Sequence, residues 1–547
     1  MASLNPIVGP LGNQNAAHLL SRATFGPLLQ DIQQFSSLTA ATAFQQLIQA
    51  QTPPAFPIDP LTGTNWVFPN TASPSHSPES LSDFNCAWWM ENMRSSGPNL
   101  TERMVWFYYT HFPLIISRVE NNAQFAIDYL RLLRFYALGN YKELTKAICI
   151  DNAMLLHLDG NLNVKAIPQE NFGREFLELF TVGKGVQLGP EDYTNFTEAD
   201  VKSMTKVLTG WGTDYSFQTV DPVTNIPTGK VKGSTTMSSQ HDVSNKQFSA
   251  AFNNTLIQTT AVTSGNTTIQ GVYTELDDVI DMVFNSTHTA KNLCRRIYRQ
   301  FVYYDITSEI ETDIIEPLAT TLEQNNFDIV PVLQLLLTSE HFYDMDSAPT
   351  DDNNIGAIIK SPLDLIIGTM RLFELSVPNQ STDLDNHYAL YEQMLSELNN
   401  QGLQFFDPYD VAGYSAYYQS PAFHRYWIST NYLANRYKFS EYLIDGFSNS
   451  SGILLQLDFV QFVKDKCSNP SDSNSMMQEL VTWMFPIQLS VERFDYFKNN
   501  ILLDQITAAN WTIEWMNYIS SNNDAVVRIH LEKLALALMQ SPEYQLY

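Results

Sequence analysis

The chain has 547 residues, with 31 basic against 58 acidic side chains and a formal charge of -27. So acidic a surface repels the phosphates of DNA and RNA and anionic lipid headgroups, which excludes nucleic acid as the expected partner. Hydrophobic residues make up 44% and aromatics 12%, and one core stops growing at about 250–300 residues, so two or three packed subregions are expected.

The opening, MASLNPIVGPLGNQNAAHLL, has no basic and no apolar region of a signal peptide. No apolar run reaches the roughly 18–20 residues of a membrane span. Asn13 to Ala23 then reads as a first helix, stopped by Phe25-Gly26-Pro27. Residues 52–79 are rich in Pro, Ser and Thr and read as a long loop. Aromatic helices follow at 84–94 and 100–112, with Thr101 as candidate N-cap and Pro113 as the break. Residues 123–138 are amphipathic, and 141–158 read as the next helix after a short break, which suggests antiparallel packing.

Residues 213–273 are rich in Thr, Val and Gly and read as a small β-hairpin insertion. Helices return at 274–284, 289–304, 328–342 and 360–373, and a Gly/Tyr/Pro-rich turn covers 405–421. The expected fold is mainly α, a multi-helix orthogonal or antiparallel bundle. It divides into an N-terminal helical region (1–212), a β-rich insertion (213–273) and a C-terminal helical region (274–547). LQLLLTSEHFYD (333–344) faintly echoes LALALMQSPEYQLY (534–547), as if two subregions of related design close alike. Cys86, Cys149, Cys294 and Cys467 form no zinc pattern; buried free thiols are the plainer reading, and a disulfide stays open.

The densest polar pattern is PQENFGREFLELFTVG, Pro168 to Gly183. On a helix, Glu170, Asn171, Arg174, Glu175 and Glu178 share one arc, and Phe172, Phe176, Leu177, Leu179 and Phe180 fill the other. Gly173 lies on the apolar side, where a missing side chain permits close approach of another element. Arg174 is spaced to bridge Glu170 and Glu178. Just upstream, Asp159, Asn161, Asn163 and Glu170 stand at positions one, three, five and twelve, the ligand spacing of an EF-hand loop. Val164 replaces the usual Gly at position six, and Pro168 interrupts the loop. A calcium site, a hydrogen-bonded loop and a catalytic cluster all remain open readings. His241 and Asp242, in the insertion, are a further candidate acid/base or metal pair. No HExxH, GxSxG, GxxxxGK[ST] or GxGxxG motif is present. Trp88, Trp89, Trp106, Tyr108 and Tyr109 could line a sugar cleft, although aromatics at this density are commonly core.

Ordered blocks run along nearly the whole chain: AAHLLSRATFGP (16–27), ERMVWFYYTHF (102–112), LRFYALGNYKELTKAICIDNAMLLHLDG (133–160), PQENFGREFLELFTVG, FTEADVKSMTKVLTGW (196–211), QHD (240–242), KSPLDLIIG (360–368), FDPYDVAGY (406–414) and SPEYQ (541–545). Together they resemble the bacterial family named domain of unknown function 1800. The resemblance implies a mostly helical bacterial protein, usually exported to the periplasm, cell surface or beyond. It also implies a partner from a second exported family that resembles alkaline phosphatases and sulfatases. It supplies no reaction. The sequence departs from the family pattern at Gln169, where Asn is more usual, and at Phe180, where His often stands. Residues 213–273 are longer than is typical.

Two functional readings follow. One is a hydrolase-like enzyme on a surface or environmental polymer, with Glu175, Glu178, Arg174, His241 and Asp242 as its catalytic set. The other is a calcium-stabilised cell-surface binding or assembly protein, its metal held by Asp159, Asn161, Asn163 and Glu170, in which no chemistry occurs. No organic cofactor is expected. An enzyme should leave Glu175 or Glu178 open with His241 in reach; a scaffold should bury them in saturated ion pairs.

Overall fold

The computed structural model describes residues 2–70, 76–190, 192–346 and 354–547. Residues 71–75 of the expected 52–79 loop lie outside them. Among the described residues there are twenty-four α-helices and four separate two-stranded antiparallel sheets, so the fold is mainly α with small hairpins. Among the described residues no helix is long and apolar enough to cross a membrane. The three regions expected from the sequence share one contiguous apolar core, which takes in Val231, Phe248, Phe252 and Ile257 of the insertion.

Most helices lie where the apolar periodicity puts them: Gly12–Ala23, Ala123–Phe135, Thr287–Phe301, Ile329–Leu337 and Pro362–Leu372, while the helix expected at 274–284 runs Ile269–Phe284 and takes in the last five residues of the expected β-rich insertion, its start capped by Thr268. Three other expectations change. Residues 141–158 form two helices, Tyr141–Ile148 and Asn152–His157, because the Asp151 side chain accepts from Met154 N at 2.8 Å and caps a new start. Thr101 is the first helical residue of Thr101–His111, and its N–H is taken by the Asn99 side chain at 2.8 Å. Strand pairs also occur outside the insertion, Gln187–Gly189 with Asp192–Tyr193 and Phe447–Asn449 with Gly452–Leu455. The insertion holds Lys246–Gln247 paired with Leu256–Ile257, and Lys230–Val231 paired back to Trp211–Gly212. All four cysteines are free and buried.

The two echoed segments close alike. Ser339 and Ser541 each donate a hydroxyl at 2.7 Å to a carbonyl of the preceding helix, Leu336 and Leu538. Each tail then pairs antiparallel with a short strap: Pro6 bridges Ser339, and Ile359 bridges Leu546. Each strap leads into a helix, Gly12–Ala23 in one case and Pro362–Leu372 in the other.

The turn after the first of these helices crosses the second at glycines. A Cβ on Gly26, whose φ is +103°, would lie 2.8 Å from Gly368 Cα, so neither chain leaves room for a side chain. Around the crossing lie four fully buried guanidiniums, Arg22, Arg103, Arg371 and Arg436. Arg103 pairs with Asp364 at 2.7 Å, donates to Thr24 O and stacks over Phe25 at 4.2 Å. Arg371 donates to Gly26 O (2.5 Å), Arg94 O (2.6 Å) and Ser96 O (2.5 Å). Arg22 reaches Asn354 O at 2.8 Å, and Arg436 holds Gln545 Oε1 (2.7 Å) and Lys360 O (2.9 Å). Many of these acceptors are carbonyls at helix C-termini, which lack intrahelical partners and carry partial negative charge. Burial lowers the pKa of Arg22 to about 10 and that of Arg436 to about 9.

Removing one partner of a buried ion pair leaves the other uncompensated, at a cost of about 3–5 kcal/mol. Asp364→Ala and Arg103→Ala are each expected to lower the unfolding free energy by about that amount in urea titration. The double variant should cost clearly less than the sum of the two.

Candidate functional site

The Pro168–Gly183 segment is not one uniform helix. Asn171–Glu175 is α, and Phe176–Phe180 opens into a π turn. The burial pattern nevertheless matches the expected faces: Phe172, Gly173, Phe176, Leu177 and Phe180 are buried, while Asn171, Arg174, Glu175 and Glu178 are half-buried and Glu170 is exposed. Gly173 provides the close approach expected of it, since a Cβ there would lie 2.9 Å from Thr205 Oγ1. The wide turn frees carbonyls that other elements take up. Thr181 Oγ1 donates to Phe176 O at 2.7 Å, Arg296 to Leu179 O at 3.2 Å and Tyr141 OH to Phe180 O at 2.6 Å. Such π turns are frequent at functional sites.

On the polar face, Arg174 pairs with Glu170 at 3.2 Å as expected, but it does not bridge to Glu178. Its guanidinium instead meets both oxygens of Glu198, at 2.7 and 2.6 Å, in the first turn of the Glu198–Val207 helix. Glu178 pairs with Lys184 at 2.8 Å. That leaves Glu175. Among the described residues its carboxylate takes no hydrogen bond and no ion pair, and its pKa is raised to about 7. Burial is the largest cause, followed by the neighbouring Glu178 charge; Asp410 adds to the rise, and Arg174 and Lys184 oppose it.

The Asp159 loop is organised without a shared centre. Asn163 is fully buried: its amide donates to Thr205 O at 2.8 Å, its side-chain oxygen accepts from Gln169 N at 3.0 Å, and its carbonyl accepts from Gly210 N at 2.8 Å. The Lys232 ammonium donates to Asn161 O, and Glu170 is turned to Arg174. Asp159 is exposed, with a left-handed backbone at φ 59°. Cationic side chains thus sit on two of the four expected ligands, and the backbone is held as a hydrogen-bonded loop. Among the described residues, no group of three or more His, Cys, Asp or Glu is arranged to hold a metal ion.

The structure does not bring His241 and Asp242 to Glu175. His241 is fully buried, with Nδ1 2.8 Å from Thr209 O and Nε2 3.3 Å from Glu275 Oε1. Lys246 completes a closed triad at 2.7 Å from Glu275. This triad ties the insertion to the Ile269–Phe284 helix. The Asp242 carboxylate accepts from Ser244 N at 2.7 Å and shapes a turn. The tryptophans and tyrosines are core, Trp89, Trp106, Tyr108 and Tyr109 being fully buried. Trp88 borders a groove of about 670 Å³ whose one carboxylate, Glu102, is held by Arg134 at 2.7 Å.

Two members of the Glu175 neighbourhood escaped the sequence reading. Lys184 follows the segment directly. Asp410 lies within FDPYDVAGY, a block noted for its turn residues and for the family resemblance, with no role given to Asp410. Asp410 stands 235 positions after Glu175, and no local signal says that their charges interact.

Asn163→Ala removes partners from a buried N–H and a buried carbonyl, and is expected to cost about 1–3 kcal/mol. The same loss should be measured with calcium and with a chelator; a loop held by calcium would instead melt earlier in the chelator alone.

No curated protein and no solved structure matches the chain. A family model described as a protein of unknown function, DUF1800, matches residues 18–546, nearly the whole length, and the chain belongs to that family.

Proposed function

We propose that the protein is a hydrolase-like enzyme in which Glu175 carries the proton. The observation that supports this is the unpaired, half-buried Glu175 carboxyl with its pKa near neutrality, beside a second carboxylate, Glu178, that is already ion-paired to Lys184. Two carboxyls in unlike environments are the usual arrangement for one acid/base group and one electrostatic stabiliser. Arg174, bound to both Glu170 and Glu198, positions the helix that presents Glu175. His241 and Asp242 have no part in this reading. The substrate, a surface or environmental polymer, rests on the export that the family resemblance implies. The scaffold reading is favoured by one observation, the paired state of Arg174 and Glu178; it asks that Glu175 be dispensable.

The first test needs no substrate. The Glu175 carboxyl, followed by carbon NMR against Glu175→Gln, should titrate near 7; a midpoint in the ordinary range of about 4.3 would overturn the proposal. The second is a panel of chromogenic glycosides, esters and phosphoesters. Activity on any of them should fall about 10²–10⁴-fold in Glu175→Gln. Unchanged turnover in that variant favours the scaffold.

Stability provides an independent check. A carboxyl with a raised folded pKa binds its proton more tightly folded than unfolded. Its stabilising contribution is complete below about 4.5 and is lost as pH rises through about 7. Glu175→Gln is therefore expected to raise Tm above that of the native chain at pH 8 and to match it near pH 4.

A further inference from the structure

The Thr287–Phe301 helix carries three arginines, Arg295, Arg296 and Arg299. Arg295 is neutralised by Glu311, at 2.9 and 2.5 Å. Among the described residues the other two form no ion pair, although the Glu311 and Asp305 charges act on Arg299. Arg296 gives one N–H to Leu179 O at 3.2 Å, and Arg299 gives one to Tyr304 O at 3.1 Å. Their remaining N–H groups have no acceptor among the described residues. Satisfying a helix end explains one bond of each guanidinium and leaves the rest of both forks unused.

Both arginines line a cavity of about 50 Å³, and none of its lining residues is acidic. In a chain with 58 acidic side chains that exclusion is informative. Two histidines also line it, His111 buried and His424 half-buried. His424 Nδ1 accepts from Ile359 N–H at 3.1 Å, so the ring hydrogen is on Nε2, which is buried and has no acceptor. His111, 2% exposed, has Nε2 2.5 Å from the Tyr141 hydroxyl and 3.2 Å from Phe180 O; because Tyr141 donates its own hydrogen to Phe180 O, His111 Nε2 carries the hydrogen, which leaves a lone pair on an unpartnered Nδ1. The Arg22 and Arg425 charges lower the pKa of His424, after burial, to about 4, so cations surround the cavity on several sides. Arg296 and Arg299 are half-buried and their unused N–H groups reach solvent at the cavity, while His424 Nε2 is a buried donor without an acceptor; an anion placed there meets both.

We propose that this cavity binds a single oxyanion group, with Arg296 and Arg299 as its clamp and His424 Nε2–H as a third donor. His111 Nδ1 accepts the hydrogen of a hydroxyl or water on the bound group. One water occupies ~30 Å³ of liquid, so the volume suits one phosphate, sulfate or carboxylate head, with any larger body of the ligand outside. The site is separate from the Glu175 carboxyl and does not depend on its role.

The test is calorimetric titration of the full chain with sodium phosphate, sodium sulfate and sodium acetate at pH 7, with ionic strength held constant by sodium chloride. Saturable heat with at least one of them, and a matching rise in Tm, is expected. Phosphate or sulfate alone marks a tetrahedral ligand, and acetate alone a carboxylate. Arg299→Gln should weaken binding at least about tenfold, the loss of one charge-assisted hydrogen bond. If that variant does not fold, Arg299→Lys is read in its place, since it keeps the charge and loses the fork. Glu175→Gln should bind as the native chain does. No saturable heat with any of the three anions, or affinity unchanged in a folded Arg299 variant, overturns the site.

Discussion

The buried pair of Arg103 and Asp364 is the contact on which the rest of the architecture depends. It joins the two long halves of the chain where the turn after the Gly12–Ala23 helix crosses the Pro362–Leu372 helix at two glycines, Gly26 and Gly368. A lone guanidinium in a dry core is costly. Here the cost is offset by Asp364 and by the carbonyl ends of neighbouring helices, so that charge and orphan backbone groups satisfy each other. The blocks around Arg22, Arg103, Asp364 and Gln545 look unrelated along the chain, yet all of them converge on this crossing.

The distribution of charge follows from the same constraint. The chain is strongly acidic overall, yet the buried charges gathered at the crossing are mostly arginines. Glu175 and the Arg296–Arg299 cavity are sites of opposite charge. Both are tied to the π turn of the signature segment: Glu175 directly precedes it, and Arg296 and His111 grip the carbonyls of its last two residues, Leu179 and Phe180. A regular α-helix would have kept those carbonyls nearer its own ladder. The wider turn makes them available, and so fixes where the two arginines of the next region can sit.

The helices were largely legible in the sequence because apolar spacing and capping residues are local. Gly173 was readable as a point of close approach for the same reason. The break at Asp151 was not, because a capping side chain competes with an otherwise continuous apolar pattern. The polar face of Pro168–Gly183 was readable as a face, but its partners were not: Glu198 outbid Glu178 for Arg174 through tertiary placement. Spacing misled at the Asp159 loop, where Asn163 serves the backbone of Thr205, Gln169 and Gly210. It misled again at His241, which lies in a closed triad with Lys246 and Glu275. Asp410, Arg296 and Arg299 were beyond local reasoning, since their importance arises from what they meet or fail to meet.

The glycine crossing also bears on how the chain reaches its fold. Arg371 reaches Gly26 across 345 residues, and Lys360 meets Gln545 across a further long interval. Loop closure of that span must precede any gain from the contacts it permits. Helices along the first half can therefore form during synthesis while their central arginines wait for partners not yet made. The nascent first half exposes a cationic, carbonyl-rich seam, and the waiting interval is when it is open to misassociation or to a chaperone.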